Sequence, residues 1–264
     1  VHADKGSNRC FSWSFSAGDY AAVKARAEVV LNRRFVQQRV LPTAMEPRAV
    51  LADPTPAAGT FTLWTSTQVP HLVRTFMSSV CRIPEHKLRV IAPDVGGGFG
   101  GKLNVYAEEA LALVVSRRIG RPVKWTASRG EDYQATTHGR DMLQDIEIAA
   151  MRDGRALGLH VDLLSDMGAY LQLLTAGVPL LGRYMYPGIY RFEAHEFTCQ
   201  GVFTTKTPTD SYRGAGRPEP AFAIERMMDE LATELGLDPL ELRERNWIRR
   251  EEFPYTTIAG LTYD

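Results

Sequence analysis

Apolar and polar residues follow two different periods along this chain, and each period predicts one kind of element. Alternation at every second residue is typical of strands, and recurrence every three or four residues is typical of helices. The predicted strands run from Arg34 to Leu41, Arg48 to Ala52, Thr60 to Thr67, Lys87 to Ala92, Pro122 to Ala127, Asp145 to Met151, Ala156 to Leu164 and Ala194 to Thr205. The predicted helices run from Tyr20 to Val29, Pro70 to Val80, Val105 to Arg118, Glu219 to Leu235 and Asp238 to Ile248.

Caps and turns refine these elements. Asp153-Gly154 between two alternating segments predicts a hairpin, and Gly236 is placed to end the helix before it. Two helices carry a full apolar face. In the helix from Pro70 to Val80 the predicted face consists of Leu72, Val73, Phe76, Met77 and Val80. In the helix from Glu219 to Leu235 it consists of Ala221, Phe222, Ile224, Met227, Met228, Leu231 and Leu235. Hairpins mixed with helices predict an α+β fold with mixed sheets rather than a purely parallel, doubly wound sheet.

Composition narrows the class of protein. The chain has 264 residues, 44% of them hydrophobic, which is enough for one core, and we expect a single domain over 1–264. The 31 basic and 31 acidic residues give a net charge of zero, which argues against nucleic acid or an anionic membrane as the main partner. No apolar stretch reaches the ~20 residues of a membrane-spanning helix.

Cysteine usage and the two chain ends suggest a compartment and a context. Cys10, Cys81 and Cys199 contain no CxxC pair, which argues against zinc or iron–sulfur ligation in this chain. A sparse, odd number of cysteines favours a reducing, cytoplasmic compartment. No signal peptide is recognisable, the first residue is not Met, and the last segment forms no evident terminal element. We therefore expect a piece of a longer polypeptide.

The segment Gly96-Gly97-Gly98-Phe99-Gly100-Gly101-Lys102 is the strongest candidate for chemistry. It joins a predicted strand to a predicted helix, where a glycine loop allows another molecule to approach backbone N–H groups. A phosphate loop needs Ser or Thr after the lysine, and Leu103 stands there. A dinucleotide fold needs an acidic residue about twenty positions later, where the chain has Gly120-Arg121-Pro122. Close packing at a strand–helix junction is a further explanation, but it accounts poorly for five glycines around a phenylalanine.

Three segments in the same order carry a resemblance to a known family. They are Met45-Glu46-Pro47-Arg48, Thr65-Ser66-Thr67-Gln68-Val69-Pro70-His71 and Ser211-Tyr212-Arg213-Gly214-Ala215-Gly216-Arg217-Pro218-Glu219. With the glycine loop, 31 positions after Gln68 (99 − 68), they resemble the xanthine dehydrogenase/aldehyde oxidase family of molybdenum hydroxylases. The segments 224–229 and 252–257 resemble the large subunits of the carbon monoxide dehydrogenase type.

The resemblance implies a molybdopterin-binding fold and a set of site residues. Gln68 is expected to donate to an oxo ligand of the molybdenum and Arg213 to orient the substrate or a cofactor oxygen, so both are the candidate catalytic residues. The cofactor-binding residues implied are Gln68, Gly97, Gly98, Phe99, Gly100, Arg213 and Gly214. The molybdenum is held through the pterin dithiolene, in the cytosine dinucleotide form, so no side chain is expected to ligate it directly.

The resemblance also implies what this chain lacks. The general-base glutamate of the family lies in a later glycine-rich segment that the sequence does not contain. The isolated chain is therefore expected to be inactive. The active enzyme is expected to contain the rest of the large subunit, an iron–sulfur subunit and an FAD subunit, and to act on a small-molecule substrate. A non-catalytic remnant of the same fold is the first alternative, and a nucleotide-binding protein is the second.

The loop residues bear on the substrate. Carbon monoxide dehydrogenase carries a copper-binding cysteine in the loop where this chain has Ser211-Tyr212-Arg213-Gly214, and this difference argues against CO oxidation. Purine-oxidising relatives place an acidic residue after the lysine of the glycine loop, where Leu103 stands. The resemblance therefore favours an aldehyde or an N-heterocycle as the substrate.

Overall fold

The computed structural model describes residues 2–264. Its strands are β1 (Arg9–Ala17), β2 (Val29–Val40), β3 (Ala49–Thr55), β4 (Thr60–Thr65), β5 (Leu88–Ile91), β6 (Val123–Thr126), β7 (Gly139–Ala150), β8 (Ala156–Gly168), β9 (Ala194–Phe203), β10 (Tyr255–Thr256) and β11 (Thr262–Tyr263). Its α-helices are α1 (Tyr20–Arg26), α2 (Pro70–Cys81), α3 (Ala107–Ile119), α4 (Arg129–Ala135), α5 (Gly177–Leu181), α6 (Pro218–Leu235) and α7 (Pro239–Asn246). No helix within residues 2–264 is long and apolar enough to cross a bilayer.

The chain forms two compact units. Unit 1 takes the residues up to Arg39, then Arg140–Thr209 and Gly214–Asp264, and unit 2 takes Val40–Gly139 and Asp210–Arg213. The prediction of one domain over 1–264 stays a prediction. The short return of residues 210–213 to unit 2 matters most, because it carries one of the predicted site segments.

Unit 1 is built on a five-stranded sheet in the order β1-β9-β8-β7-β2. Strands β8 and β9 are parallel, whereas β1 and β7 pair antiparallel with their neighbours β9 and β8. The apolar residues Ile224, Met227, Met228 and Leu231 of α6 join the core formed by this sheet. These four residues belong to the predicted helical face, and each is at most 1% exposed. Ala221 and Phe222, predicted for the same face, are exposed, so this prediction is partly wrong.

Unit 2 is built on a four-stranded sheet in the order β5-β4-β3-β6. Strand β3 pairs antiparallel with β4 and β6, while β4 and β5 are parallel and are joined through α2. Helices α2 and α3 contribute Val73, Met77 and Leu113 to its core. Because β4 and β5 run in the same direction, the loops that follow them leave the same edge of the sheet.

The mixed sheets confirm the predicted fold class, and the Asp153-Gly154 turn joins β7 to β8 as predicted. The prediction that the first helix reaches Val29 is wrong, since α1 ends at Arg26 and β2 begins at Val29. Neighbouring β-branched valines at 29 and 30 favour extended backbone and a place in the sheet. Strand β1 was not predicted, although Phe11, Trp13 and Phe15 alternate with serines in the period that is typical of a strand.

The apolar face predicted for the helix after Pro70 is partly wrong. Val73, Met77 and Cys81 are the residues that α2 buries, whereas Phe76 is 45% and Val80 is 65% exposed. The buried residues are four apart and form one narrow stripe. Phe76 and Val80 are each one position from a buried residue and therefore lie about 100° away around the helix, on a side where unit 2 does not bury them.

His195 in β9 predicts a pH dependence of stability. Burial lowers its pKa from 6.5 to about 4, and its Nδ1 lies 3.2 Å from the carbonyl oxygen of Leu159. Between these two pH values the unfolded chain binds a proton that the folded chain excludes. The stability contributed by neutral His195 is therefore complete above pH 6.5, and is lost at roughly 1.4 kcal/mol per pH unit as the pH falls towards 4.

Urea unfolding of the native chain and of His195→Gln at several pH values between 6.5 and 4 measures this contribution. Glutamine still donates to Leu159, and the variant is expected to show a shallower decline. Both proteins share the background of Asp145 and Asp166, whose pKa values are also lowered. Identical slopes for the two proteins would contradict the assignment to His195.

Candidate cofactor-binding site

Three loops of unit 2 bring the predicted site residues together. The first follows β4 and carries Gln68, the second follows β5 and spans 96–102, and the third is Asp210–Arg213. The parallel β4 and β5 place the first two loops side by side. The third is fixed to the second by the backbone N–H of Arg213, which donates to the carbonyl oxygen of Phe99 over 2.9 Å.

The amide of Gln68 has a defined direction. Its Oε1 accepts hydrogen bonds from the backbone N–H of Gly100 at 2.9 Å and of Lys102 at 3.3 Å. Both partners can only donate, so the carbonyl oxygen of the amide must face them. The Nε2 group, on an exposed residue, is therefore the side of Gln68 that is available to donate to another molecule.

Two glycines of the loop are required by the chain itself. A Cβ on Gly98 would lie 2.4 Å from Gln68 Oε1, and a Cβ on Gly100 would lie 2.1 Å from the carbonyl oxygen of Ser211. Gly100 also has a φ of +101°, a conformation that favours glycine. Gly98 makes room for the side chain of Gln68, and Gly100 makes room for the backbone of Ser211. Close packing, a poor explanation by sequence alone, therefore accounts for these two glycines.

The loop is not arranged as a phosphate cradle. Four of its seven N–H groups bond within unit 2: Gly96 to Glu46 Oε2, Gly100 and Lys102 to Gln68, and Gly101 to the carbonyl oxygen of Gly98. Helix α3 begins only at Ala107, so the loop does not run directly into a helix N-terminus. The second alternative, a nucleotide-binding protein, finds no support in this geometry.

Phe99 and Arg213 lie at the exposed part of the three loops. Phe99 is 40% exposed and has a φ of +51°, which is uncommon for a bulky side chain and costs roughly 1 kcal/mol or more. The Phe99 ring lies next to Gly97, because a Cβ added to Gly97 would lie 3.0 Å from it. The exposed Arg213 follows in the third loop. Strained backbone, an aromatic ring and a cation at one place are typical of a binding site.

Ser211 is a candidate that the sequence argument did not single out. The residue is only 6% exposed, and its Oγ has no hydrogen-bond partner within residues 2–264. The carbonyl oxygen of the same residue faces Gly100. Such a hydroxyl is able to bond to a ligand atom or to water, as are the equally unpartnered hydroxyls of Ser116 and Ser165.

Gly214 is the predicted site residue that belongs to the other unit. It is the first residue of unit 1 after the third loop, with a φ of +92°, and a Cβ there would lie 2.7 Å from Pro218. Its contacts in unit 1 therefore explain why glycine stands at this position. Among the described residues, no group of three or more His, Cys, Asp or Glu is placed to hold a metal ion.

A buried polar cluster supports the glycine loop from behind. Tyr106 donates from its hydroxyl to the carbonyl oxygen of Gly101 at 2.5 Å and accepts from the backbone N–H of Thr137. The guanidinium of Arg48, a residue that is 5% exposed, lies 3.8 Å from the centroid of the Tyr106 ring. Arg48 also pairs with Glu108 at 3.0 Å.

Glu108 and Glu109 lie in the first turn of α3, but they are not a solvated pair. Glu109 is 6% exposed, accepts from the hydroxyl of Thr65 and from the backbone N–H of Tyr106, and burial raises its pKa. Glu108 pairs with the buried Arg48. Two adjacent acids in a sequence do not reveal which tertiary partners will cover them.

Comparison with known proteins identifies the family of this chain. Residues 1–247 match the family described as the molybdopterin cofactor-binding domain. The carbon monoxide dehydrogenase large chain of Hydrogenophaga pseudoflava is 39% identical over 97% of this chain and 32% of its own length. The nicotine 6-hydroxylase large subunit of Paenarthrobacter nicotinovorans is 35% identical over 94% of this chain and 31% of its own.

A solved structure of the same kind confirms the fold. The quinoline 2-oxidoreductase of Pseudomonas putida 86 superposes with a TM-score of 0.92 at 36% identity, covering 97% of this chain and 33% of that one. The chain thus spans about a third of the length of the relatives it matches. With a family match over most of its residues, this chain belongs to the molybdopterin cofactor-binding domain family of the large subunits of molybdenum hydroxylases.

Proposed function

We propose that this chain supplies the three-loop part of the active site of a molybdenum hydroxylase that oxidises an aldehyde or an N-heterocycle. The observation that carries the proposal is the direction of the Gln68 amide. Two backbone donors hold its oxygen, so that a neutral N–H donor of this exposed residue is left available to another molecule. Such a donor suits an oxygen-rich group without adding a charge or a titrating proton.

The residues present fit a molybdopterin group. Gln68 offers an amide donor, Arg213 a permanent cation and Ser211 a buried hydroxyl without a partner. When bound, the molybdenum group supplies the redox centre that takes electrons from a substrate carbon while oxygen from water is added. In this chain Gln68 and Arg213 would bind and orient oxygen atoms. Phe99, with the backbone of Gly97, Gly98 and Gly100, would exclude water from one side.

The substrate class is supported by the third loop and by two relatives. Ser211-Tyr212-Arg213-Gly214 contains no cysteine, and the buried thiols of Cys81 and Cys199 lie on α2 and β9 rather than in that loop. Burial raises the pKa of Cys199 to about 12, which makes it a poor metal ligand. The names nicotine 6-hydroxylase and quinoline 2-oxidoreductase both denote oxidation of N-heterocycles. An N-heterocycle or an aldehyde is therefore the proposed substrate, and CO is not.

The assembly is proposed on the same basis. A complete enzyme would join this chain to the remainder of a large subunit with its general-base glutamate, to an iron–sulfur subunit and to an FAD subunit. The cytosine dinucleotide form of the cofactor and a cytoplasmic location remain predictions.

Cofactor loading of the purified chain tests the proposal. We expect the chain, mixed with molybdopterin cofactor, to bind pterin weakly and saturably, to hold molybdenum below one equivalent and to turn over neither quinoline nor benzaldehyde. Arg213→Gln is expected to lose most of this binding, whereas Arg121→Gln, a change at an exposed arginine after α3, is expected to leave it unchanged.

The outcomes separate the alternatives. Binding that is absent in the native chain, or equal in the two arginine variants, would favour a non-catalytic remnant. Stoichiometric molybdenum with turnover would show that the chain needs no further glutamate-bearing segment. Pterin is measured by fluorescence after oxidation and molybdenum by plasma mass spectrometry.

A further inference from the structure

Lys102 is the end of the glycine loop, and its three polar groups all point inwards. The residue is 3% exposed, and its Nζ pairs with Glu46 Oε2 at 2.7 Å. Its backbone N–H donates to Gln68 Oε1, and its carbonyl oxygen accepts from the backbone N–H of Gln68 at 2.9 Å. Lys102 therefore contacts Gln68 through two backbone bonds while its side chain is anchored elsewhere.

Glu46 closes the loop from the other side. The same carboxylate oxygen that pairs with Lys102 accepts from the backbone N–H of Gly96 at 2.8 Å, and the N–H of Glu46 donates to the carbonyl oxygen of Gly96 at 3.1 Å. A Cβ on Gly96 would lie 2.6 Å from the Cβ of Glu46, so this close approach also requires a glycine. One carboxylate thus joins the first and last residues of the heptapeptide.

Because Lys102 is buried, its ammonium group needs the Glu46 carboxylate as a partner. A cation that is almost fully removed from water requires a partner, because an unpaired buried charge is costly. The Nζ of Lys102 is therefore held on Glu46, and a turn of the Lys102 backbone would strain or break that pair. The backbone N–H of Lys102 is in turn one of the two donors that fix the oxygen of the Gln68 amide.

We propose that Glu46 and Lys102 are positioning residues that set the direction in which Gln68 presents its Nε2 group. The pair holds the two ends of the loop together, the loop holds the Gln68 oxygen, and the amide donor is left facing outwards. This inference rests on the proposed function only for the identity of the group that Gln68 faces. The lysine of the loop serves the site from behind and does not contact a phosphate.

Nuclear magnetic resonance of the ¹⁵N-labelled chain tests this role without any cofactor. Two readouts are used: the side-chain NH₂ signals of Gln68, assigned through their loss in Gln68→Glu, and the amide hydrogen exchange of Gly96, Gly100 and Lys102. In Glu46→Gln we expect the Gln68 signals to shift and exchange at these three amides to accelerate by about tenfold, the loss expected for one weakened charge-assisted hydrogen bond.

Two comparisons control for a general loss of stability. Glu85→Gln removes a carboxylate from a solvent-exposed pair with Arg74, whose atoms are 3.5 Å apart. This variant is expected to leave the Gln68 signals and the exchange of the three amides unchanged. Lys102→Arg keeps the cation and is expected to retain the native Gln68 signals, whereas Lys102→Met fills the space without the charge and is expected to shift them.

The proposal is overturned if Glu46→Gln and Lys102→Met leave the Gln68 signals and the exchange of Gly100 at native values. A uniform acceleration across unit 2 would also overturn it, because that pattern shows a role in stability alone. If Glu46→Gln does not fold, the two lysine variants still decide the question. If the variants change the Gln68 signals as expected but the native chain binds no pterin, the proposed function is refuted and the positioning role still holds.

Discussion

Replacing Gly100 by alanine is expected to destabilise the chain by about 3–5 kcal/mol, a large part of the 5–15 kcal/mol typical of a folded protein. The new Cβ would lie 2.1 Å from the carbonyl oxygen of Ser211 and 2.7 Å from its carbonyl carbon. Both are backbone atoms, and they cannot swing aside as the end of a flexible side chain can. The φ of +101° adds strain of its own.

The third loop has little freedom to relieve this clash. The N–H of Asp210 donates to the carbonyl oxygen of His138 at 2.8 Å, and the N–H of Arg213 donates to the carbonyl oxygen of Phe99 at 2.9 Å. Moving Ser211 away from position 100 would therefore break bonds on both sides of it. We expect the variant either to unfold in unit 2 or to separate the third loop from the glycine loop, with loss of pterin binding in both cases.

Gly120 provides the matched control for this change. Its φ of +65° is also left-handed, but no atom lies within 4 Å of a Cβ built on it. Gly120→Ala should therefore cost only about 1–2 kcal/mol, the backbone penalty alone. Urea unfolding midpoints measure both variants, and equal losses would contradict the role assigned to the contact with Ser211.

Replacing Gln68 by glutamate is expected to weaken cofactor binding strongly while leaving the fold intact. The carboxylate of nearly the same shape can still accept from the N–H groups of Gly100 and Lys102, so we expect a stability change within about 1 kcal/mol. It cannot donate, and it places a negative charge where the proposed function puts oxygen atoms of the cofactor. We expect the affinity for pterin to fall by about a hundredfold or more, since a donor is lost and a like charge is added.

Gln68→Leu separates the two roles of this side chain. Leucine offers neither donor nor acceptor, so it leaves the N–H groups of Gly100 and Lys102 without their partner. We expect it to lose both affinity and about 1–3 kcal/mol of stability. Pterin titration and urea unfolding of the three proteins give the comparison. Native affinity in Gln68→Glu would show that the amide donor does not contact the cofactor.

The sequence predicted much of the fold because apolar spacing is a local property. Ile224, Met227, Met228 and Leu231 of the face predicted for α6 are buried, since a stripe repeating every three or four residues meets the core. Ala221 and Phe222 of the same predicted face are exposed. The same argument failed for Phe76 and Val80, which lie beside the buried stripe of α2 and remain exposed. A helical pattern shows which residues share a face, but it does not show how wide a face the sheet covers.

The sequence by itself determined that a strand–loop–helix segment rich in glycine, with Gln68 upstream and Arg213 downstream, carries the candidate site. Only the tertiary structure decided how these residues act. Parallel pairing of β4 and β5 places Gln68 beside the loop, and the contact of Gly100 with Ser211 brings in the third segment. The direction of the Gln68 amide and the burial of Lys102 against Glu46 depend on groups that lie 32 to 56 positions apart. Local sequence patterns do not encode such distances, because only the packing of the folded chain brings these groups into contact.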